Sequence, residues 1–430
     1  MNAALYTLGC KVNQYETQEI ISALKQNGFE ITDFKNKADI YIINSCTVTA
    51  ESSRKSRQAV RKAKKLNPDG IIVLTGCYSQ AFPAEAEHID EADIILGNNS
   101  NHLIVEKINE YLETMKRICN IVPHDKNDCY NGMCIDTFDG HTRAFIKIQD
   151  GCNRYCSYCI IPKARGFSRS RPLDDIRSEI EKIASLGYKE IVFVGINLSS
   201  YGLDNNTSIS DALRIAEEAD GIERFRLGSL EPDHITDEII RELSLMKKFC
   251  PQFHLSLQSG CNRILKSMNR HYTAEEYLEL CRKLKNTFPD ISLTTDIIAG
   301  FPGETPEDFS ETVEFAKKCG FMKVHVFPFS PREGTRAFNY DNKVSNAEKE
   351  RRCALLQTEC DKIRASFMNA LTGKTVNVLF ETPKNGYQQG YTENYTPVMI
   401  KSDELLCGKI RKVLITSVAE DICTGKLTED

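Results

Sequence analysis

Three thiols fall within eight residues in Gln149-Asp-Gly-Cys-Asn-Arg-Tyr-Cys-Ser-Tyr-Cys-Ile-Ile-Pro162. Cys152, Cys156 and Cys159 make C-x3-C-x2-C directly after an apolar, strand-like run. Thiolates are the ligands of iron–sulfur clusters, and one loop with this spacing can wrap a [4Fe–4S] cube. Three cysteines on four irons leave one iron free to chelate a small molecule and pass it an electron. A zinc knuckle, or cysteines packed as small hydrophobes, are the competing readings. Zinc sites pair C-x2-C with further Cys or His, and no such partner follows at finger distance.

A second set of thiols is spread along the first hundred residues. Cys10, Cys46 and Cys77 each end a β-rich run: Tyr6-Thr-Leu-Gly-Cys10, Tyr41-Ile-Ile-Asn-Ser-Cys46 and Val73-Leu-Thr-Gly-Cys77. Strands are expected over 3–8, 38–43, 71–75 and 94–96, with helices over 14–27 and 50–66 between them. That alternation predicts a doubly wound parallel sheet, whose strand C-termini share one edge. The three cysteines would meet there, with Gly9 and Gly76 allowing backbone to approach a bulky group. Three unrelated buried cysteines are the alternative.

The elements that position the first loop come next in the chain. From Arg143 six strands alternate with helices, near 144–148, 191–195, 225–227, 253–257, 292–298 and 323–329. Six such units predict an open, partial (β/α)6 barrel with its active site at the strand C-termini. Gly195, Ser229, Glu231, Gln258, Asp296 and Gly300 all follow strands of this barrel and are candidates for cofactor contact, as is Tyr158 in the loop. Glu231 is suited to a ribose hydroxyl, and the glycines to close approach of an adenine. Structural turns are the alternative for each. After a helix over 346–372, five short runs (375–380, 390–393, 397–400, 405–408 and 412–417) predict a small β-barrel, an architecture common among oligonucleotide binders.

Composition is that of an ordinary folded chain: 430 residues, 41% hydrophobic, 27% charged and a net charge of −5. That charge gives no general attraction to nucleic acid, so any basic contact must be local. Arg54, Arg57 and Arg61 on the second helix, and Arg165, Arg169 and Arg171 after the thiol loop, are candidate phosphate contacts. Tyr391 and Tyr395 are candidates for stacking on bases. Seventeen cysteines, an odd number at irregular spacing, argue against a disulfide framework. Cys119, Cys129 and Cys134 share no pattern that would bring them together. No run approaches the roughly 20 apolar residues of a membrane span, and the first residues do not read as a secretory signal. A cytoplasmic location is expected.

C-x3-C-x-Tyr158-Cys159 resembles the signature of the radical S-adenosylmethionine (SAM) enzymes. In that family the open iron holds SAM, and reduction yields a 5′-deoxyadenosyl radical that abstracts hydrogen from carbon. Leu8-Gly-Cys-Lys-Val-Asn-Gln-Tyr-Glu16, Asn44-Ser-Cys-Thr-Val48 and Thr75-Gly-Cys77 narrow the likeness to the methylthiotransferases. Gly390-Tyr-Thr-Glu-Asn-Tyr395 is similar to their TRAM domain, an RNA-binding module. The resemblance implies two [4Fe–4S] clusters, the first being auxiliary and holding sulfur, with SAM as both methyl and radical source. It implies a tRNA anticodon stem-loop as partner and an electron donor such as flavodoxin or ferredoxin, leaving the sulfur donor open. It divides the chain into 1–116, a linker 117–140, a barrel 141–370 and a TRAM-like 371–430. The first motif is most like the type that methylthiolates C2 of N6-threonylcarbamoyladenosine. The isopentenyladenosine and ribosomal-protein aspartate types are the alternatives, with a non-catalytic iron–sulfur RNA-binding sensor more distant.

Overall fold

The computed structural model describes residues 1–132, 135 and 142–428. Cys134 and the boundary expected near 140 lie outside the described residues.

The first unit is a six-stranded parallel sheet in the order β2-β1-β3-β4-β5-β6. Its strands are β1 (Asn2–Thr7), β2 (Glu30–Thr32), β3 (Ile40–Ser45), β4 (Ile71–Gly76), β5 (Ile94–Leu96) and β6 (Ile118–Asn120). Every residue of β3 and β4 is buried, as continuous Ile/Val runs require when helices cover both faces. Alternate side chains divide between those faces. Tyr41, Ile43, Ile72 and Leu74 pack with Ala59, Val60 and Ala63 of the helix Ala50–Leu66. Ile40, Ile42, Ile71 and Val73 pack with Ile20 and Leu24 of the helix Lys11–Gln26 and with Ile104 and Ile108. Two strands were not legible in the sequence. The three-residue β2 carries no period, and β6 adds an edge strand where a linker was expected, pairing Cys119 with Ile95.

The second unit holds the expected six parallel strands in two sheets, β11-β10-β7 and β12-β13-β14-β15. These are β7 (Ala144–Lys147), β10 (Glu190–Val194), β11 (Arg224–Leu227), β12 (Ser229–Leu230), β13 (Gln252–Leu255), β14 (Ser292–Ala299) and β15 (Lys323–Pro328). The third barrel strand is broken at Gly228 into β11 and β12, and Phe225 bridges to Phe249 where the two sheets meet. The thiol loop is pinched at its base by a two-stranded antiparallel pair, β8 (Gln149–Asp150) and β9 (Arg169–Ser170). Capping boxes at Ser208/Asp211, Thr273/Glu276 and Thr305/Asp308 fix where three barrel helices begin, each satisfying N–H groups the first turn leaves free.

The helix Asn346–Asn369 leads to a closed five-stranded barrel, β16-β17-β18-β20-β19. Its strands are β16 (Thr375–Phe380), β17 (Gln388–Thr392), β18 (Pro397–Ile400), β19 (Ile410–Ala419) and β20 (Ile422–Leu427). The run at 405–408 is a turn rather than a strand, and β20 closes the barrel in its place. The larger barrel grips this small one through two arginines. Arg224 and Arg226 meet the fully buried Glu190 at 2.5 and 2.8 Å. They also donate to the carbonyls of Tyr391 at 3.0 Å and Thr392 at 2.6 Å. Burial alone would push the Glu190 carboxyl up, but Arg226 and Arg224 outweigh it and bring it down to about 2.

Arg226→Met leaves the buried Glu190 charge with fewer partners and should cost about 3–5 kcal/mol, read by urea unfolding. Because Glu190 titrates lower folded than unfolded, its stabilisation is complete above the unfolded value of about 4.3. It is lost as pH falls from there toward about 2. Glu190→Gln should flatten that part of the stability–pH curve.

Candidate active site

Strand ends bring Cys10, Cys46 and Cys77 together, and Asn13 organises them. Its Nδ2 donates to the carbonyls of Leu8 at 2.8 Å and Ser45 at 2.9 Å, tying the ends of β1 and β3. The thiols of Cys10 and Cys77 stand 3.8 and 3.9 Å from its Oδ1. A Cβ on Gly9 would lie 2.9 Å from Cys46 Cβ, and φ there is +106°. A Cβ on Gly76, at φ +97°, would lie 2.7 Å from the backbone of Ser45. Glycine is therefore required at both turns, by conformation and by space. Burial pushes the Cys46 thiol up and the Cys77 thiol to about 12, and the neighbouring cysteines add to both effects.

The second set is built by one turn. The chain leaves β8 through Gly151, at φ +71°, where a Cβ would meet Phe167 O at 1.8 Å. Cys152 N–H donates to Gly166 O at 3.1 Å, closing the loop across its base. Burial pushes Cys152 to about 11 and Cys159 higher. Arg270 Nη1 donates to Cys156 Sγ at 3.2 Å, and Asn197 Nδ2 reaches Cys152 Sγ at 4.0 Å.

Each set thus has a guanidinium aimed at a sulfur, since Arg165 Nε donates to Cys77 Sγ at 3.2 Å. Cationic donors suit thiolates rather than thiols, and hydrogen bonds to sulfur are among the controls on a cluster. Among the described residues no three His, Cys, Asp or Glu side chains are grouped to hold a single metal ion.

Beside Cys10, and reaching the barrel's inner wall, lies a cavity of about 680 Å³. Cys10 and Lys11 form one wall, and the open side of the large barrel another through Gly195, Ser229, His254, Asp296 and His325. Tyr391 and Tyr395 of the small barrel close it, stacked at 4.6 Å and 15°. The guanidinium of Arg143 stands 5.0 Å from both rings. His254 Nε2 lies 3.3 Å from Asp296 Oδ2. Lys11 is exposed toward this cavity.

Several expected contacts are elsewhere. Arg165 is fully buried, held by Glu16 at 2.7 Å, Asp150 at 3.0 Å and Asn13 at 2.8 Å, so it presents nothing to RNA. Arg169 is buried against Asp150 at 3.7 Å, and Arg171 against Glu179. All three are structural cations. Arg54, Arg57 and Arg61 remain at the surface, beside Glu51, Glu85 and Glu91. Gly300 faces Lys349 of the helix Asn346–Asn369, where a Cβ would meet Lys349 Cγ at 2.4 Å, rather than a cofactor. Glu231 is engaged by Arg270 at 2.5 Å and so steadies the donor to Cys156. Gln258 takes φ +71° while bridging to β14 through Asp296 O at 2.8 Å. Tyr158 packs against the Phe301 and Phe329 cluster. Tyr391 and Tyr395 stack on each other, with Tyr395 at φ +64°. Gly195, Ser229 and Asp296 do reach the cavity.

Sequence reading missed Lys11, His254, Lys323 and His325 on the wall, and Arg270 beside Cys156. The wall signal was present: along β13, β14 and β15 polar residues recur at every second position, as side chains on the inner face of a strand do.

The open α/β barrel, with a three-thiol loop after its first strand, defines a radical SAM enzyme. Residues 146–316 match the radical SAM superfamily, and residues 2–97 match a family described as uncharacterized protein family UPF0004. The chain is 39% identical to the threonylcarbamoyladenosine tRNA methylthiotransferase MtaB of Bacillus subtilis, over 96% of this chain and 93% of that protein. It is 37% identical to the MtaB of Aquifex aeolicus, over 96% and 100%. Identity to the tRNA-2-methylthio-N(6)-dimethylallyladenosine synthase of Clostridium perfringens is 34%, over 98% and 97%. Among solved structures, the radical SAM methyltransferase TsrM of Kitasatospora setae shares the fold at a TM-score of 0.56 and 16% identity, covering 76% of this chain and 72% of that one. The chain belongs to the tRNA methylthiotransferase family of radical SAM enzymes.

Arg165→Met leaves Glu16 and Asp150 buried with fewer partners and should cost about 3–5 kcal/mol in urea unfolding. Gly151→Ala should leave the small barrel folded but displace the Cys152 loop, read as loss of iron bound after reconstitution.

Proposed function

We propose that this chain methylthiolates C2 of N6-threonylcarbamoyladenosine beside the anticodon of tRNA. The observation that carries this is one cavity walled by Cys10 on one side and by the barrel's strands on the other. Cys152, Cys156 and Cys159 would hold the cluster that binds SAM, and Cys10, Cys46 and Cys77 the auxiliary cluster. Bound there, the clusters and SAM supply a one-electron reductant, a carbon radical, sulfur and a methyl group. An aromatic C–H resists acid–base chemistry, which is why such cofactors are needed.

The protein's own part is placement. Arg165 and Arg270 direct positive charge at one sulfur of each triad, and Asn13 sets the spacing of Cys10 and Cys77. Gly195 and Gly228 line the cavity where strand ends pack closely, a Cβ meeting Gln149 at 3.0 Å and Phe193 O at 3.0 Å. The small barrel excludes water from one end and carries the tyrosine pair to the cavity, within reach of RNA entering from that side. Electrons would come from a carrier of the flavodoxin or ferredoxin kind, in the cytoplasm with the tRNA. No helix among the described residues is long and apolar enough to cross a membrane.

Nucleoside mass spectrometry of tRNA from cells with and without the gene tests this. The methylthio form of threonylcarbamoyladenosine should vanish and the unthiolated base accumulate. Loss of the methylthio dimethylallyl form would move the substrate, and an unchanged profile would reject the reading. In reconstituted protein, Cys46→Ala and Cys156→Ala should each lower bound iron by about half.

A further inference from the structure

Resting on that reading of the substrate, we propose that Lys11 and Lys323 form a subsite for the carboxylate of its threonyl group. Threonylcarbamoyladenosine carries an amino acid joined through its nitrogen, so a free carboxylate and a hydroxyl hang from the purine. A dimethylallyl group is hydrocarbon throughout. An anion that leaves water for a cavity must find a cation or a set of donors there.

The charges on the wall have mostly found partners within the protein. Asp296 lies beside His254 at 3.3 Å. Arg364 is paired with Asp421 at 3.3 Å. Behind the tyrosine pair, Glu190 is matched by Arg224 and Arg226, and Arg143 by Glu381 at 2.7 Å. Two cations remain. Among the described residues, neither the Lys11 nor the Lys323 ammonium makes a hydrogen bond or an ion pair; both side chains are exposed and line the cavity.

They also face the same space. His325 lies within electrostatic reach of both ammonium groups, and Lys11 Nζ stands 5.9 Å from the Tyr395 ring. Lys323 sits opposite Thr294 on the neighbouring strand. Thr294 Oγ1 is bonded to Gln252 at 3.3 Å and His254 at 3.0 Å, a polar floor suited to the threonyl hydroxyl. Val194, Leu227 and Met322 give the cavity apolar lining suited to the purine. Lys11 adjoins Cys10, so a carboxylate held there would bring the base toward the auxiliary triad.

Fluorescence anisotropy with the reconstituted full chain tests the subsite through binding, apart from turnover. The probes are synthetic anticodon stem-loops carrying threonylcarbamoyladenosine, its carboxyl methyl ester, dimethylallyladenosine or plain adenosine. The wild type should prefer the free acid to its ester. Lys11→Met and Lys323→Met should each weaken binding of the acid about tenfold, the worth of one charge-assisted contact. Binding of the ester and of plain adenosine should stay within about twofold, and Lys323→Arg should retain the preference. A wild type that prefers the acid, with both Met variants keeping that preference, overturns the subsite and leaves the substrate reading standing. Equal weakening of all four RNAs would mean a general structural role and also overturns it. Preference of the wild type for dimethylallyladenosine would remove the substrate reading and the subsite together.

Discussion

Arg165 is the contact on which the two halves of the site depend. It ends the short helix Ile161–Arg165 that follows the Cys152 loop, yet its guanidinium lies inside the first unit's edge. There it donates to Glu16 at 2.7 and 2.8 Å, to Asn13 at 2.8 Å and to the sulfur of Cys77 at 3.2 Å. Lys147 joins from β7, meeting Glu16 at 2.8 Å and Asp150 at 2.7 Å. Two carboxylates and two cations buried together are costly to desolvate, so they are tolerated only when all are paired. Pairing requires the first unit and the barrel to meet in one register. The network therefore reads as a device for specifying that register, and the distance between the two thiol triads follows from it.

The cavity is a consequence of the same arrangement. A six-stranded barrel does not close on itself, and its open side exposes the inner faces of β13, β14 and β15. The helix Lys11–Gln26 brings Cys10 and Lys11 over that side, while the small barrel closes the remaining gap with Tyr391 and Tyr395. Each of the three units contributes a wall, so the site does not exist in any one of them. Arg224 and Arg226, held by Glu190, lock the last of the three in place by donating to main-chain carbonyls. Carbonyls are present whatever the side chain, so that grip is insensitive to much of the small barrel's own sequence.

Chemistry concentrated in short motifs was legible from the sequence. A thiol loop needs its cysteines within one turn, and a strand-end cysteine needs only the strand before it, so both triads could be read from local spacing. The alternation of strand and helix gave the two α/β architectures, because apolar runs and capping residues are local signals. What was misread depended on contacts far apart in sequence. Arg165, Arg169 and Arg171 looked like a basic strip for phosphate until Glu16, Asp150 and Glu179, from other segments, buried them. Gly300 looked like a cofactor turn until the helix Asn346–Asn369 filled the space it leaves. β6 and β20 were missed because three-residue or weakly patterned strands are recognised by their partners, not by their own residues.

The sequence by itself pointed to the class of chemistry, since a C-x3-C-x2-C loop and cysteines at strand ends are local patterns written in the chain. The tertiary structure alone decided which cations are structural and which face the cavity. Lysine and arginine look alike in sequence whether buried in a salt bridge or left free, and the difference lies in acids on other elements, from eight to about 150 residues away. Lys11 and Lys323, more than three hundred residues apart, line one cavity with His325 only when the first unit is laid across the open barrel.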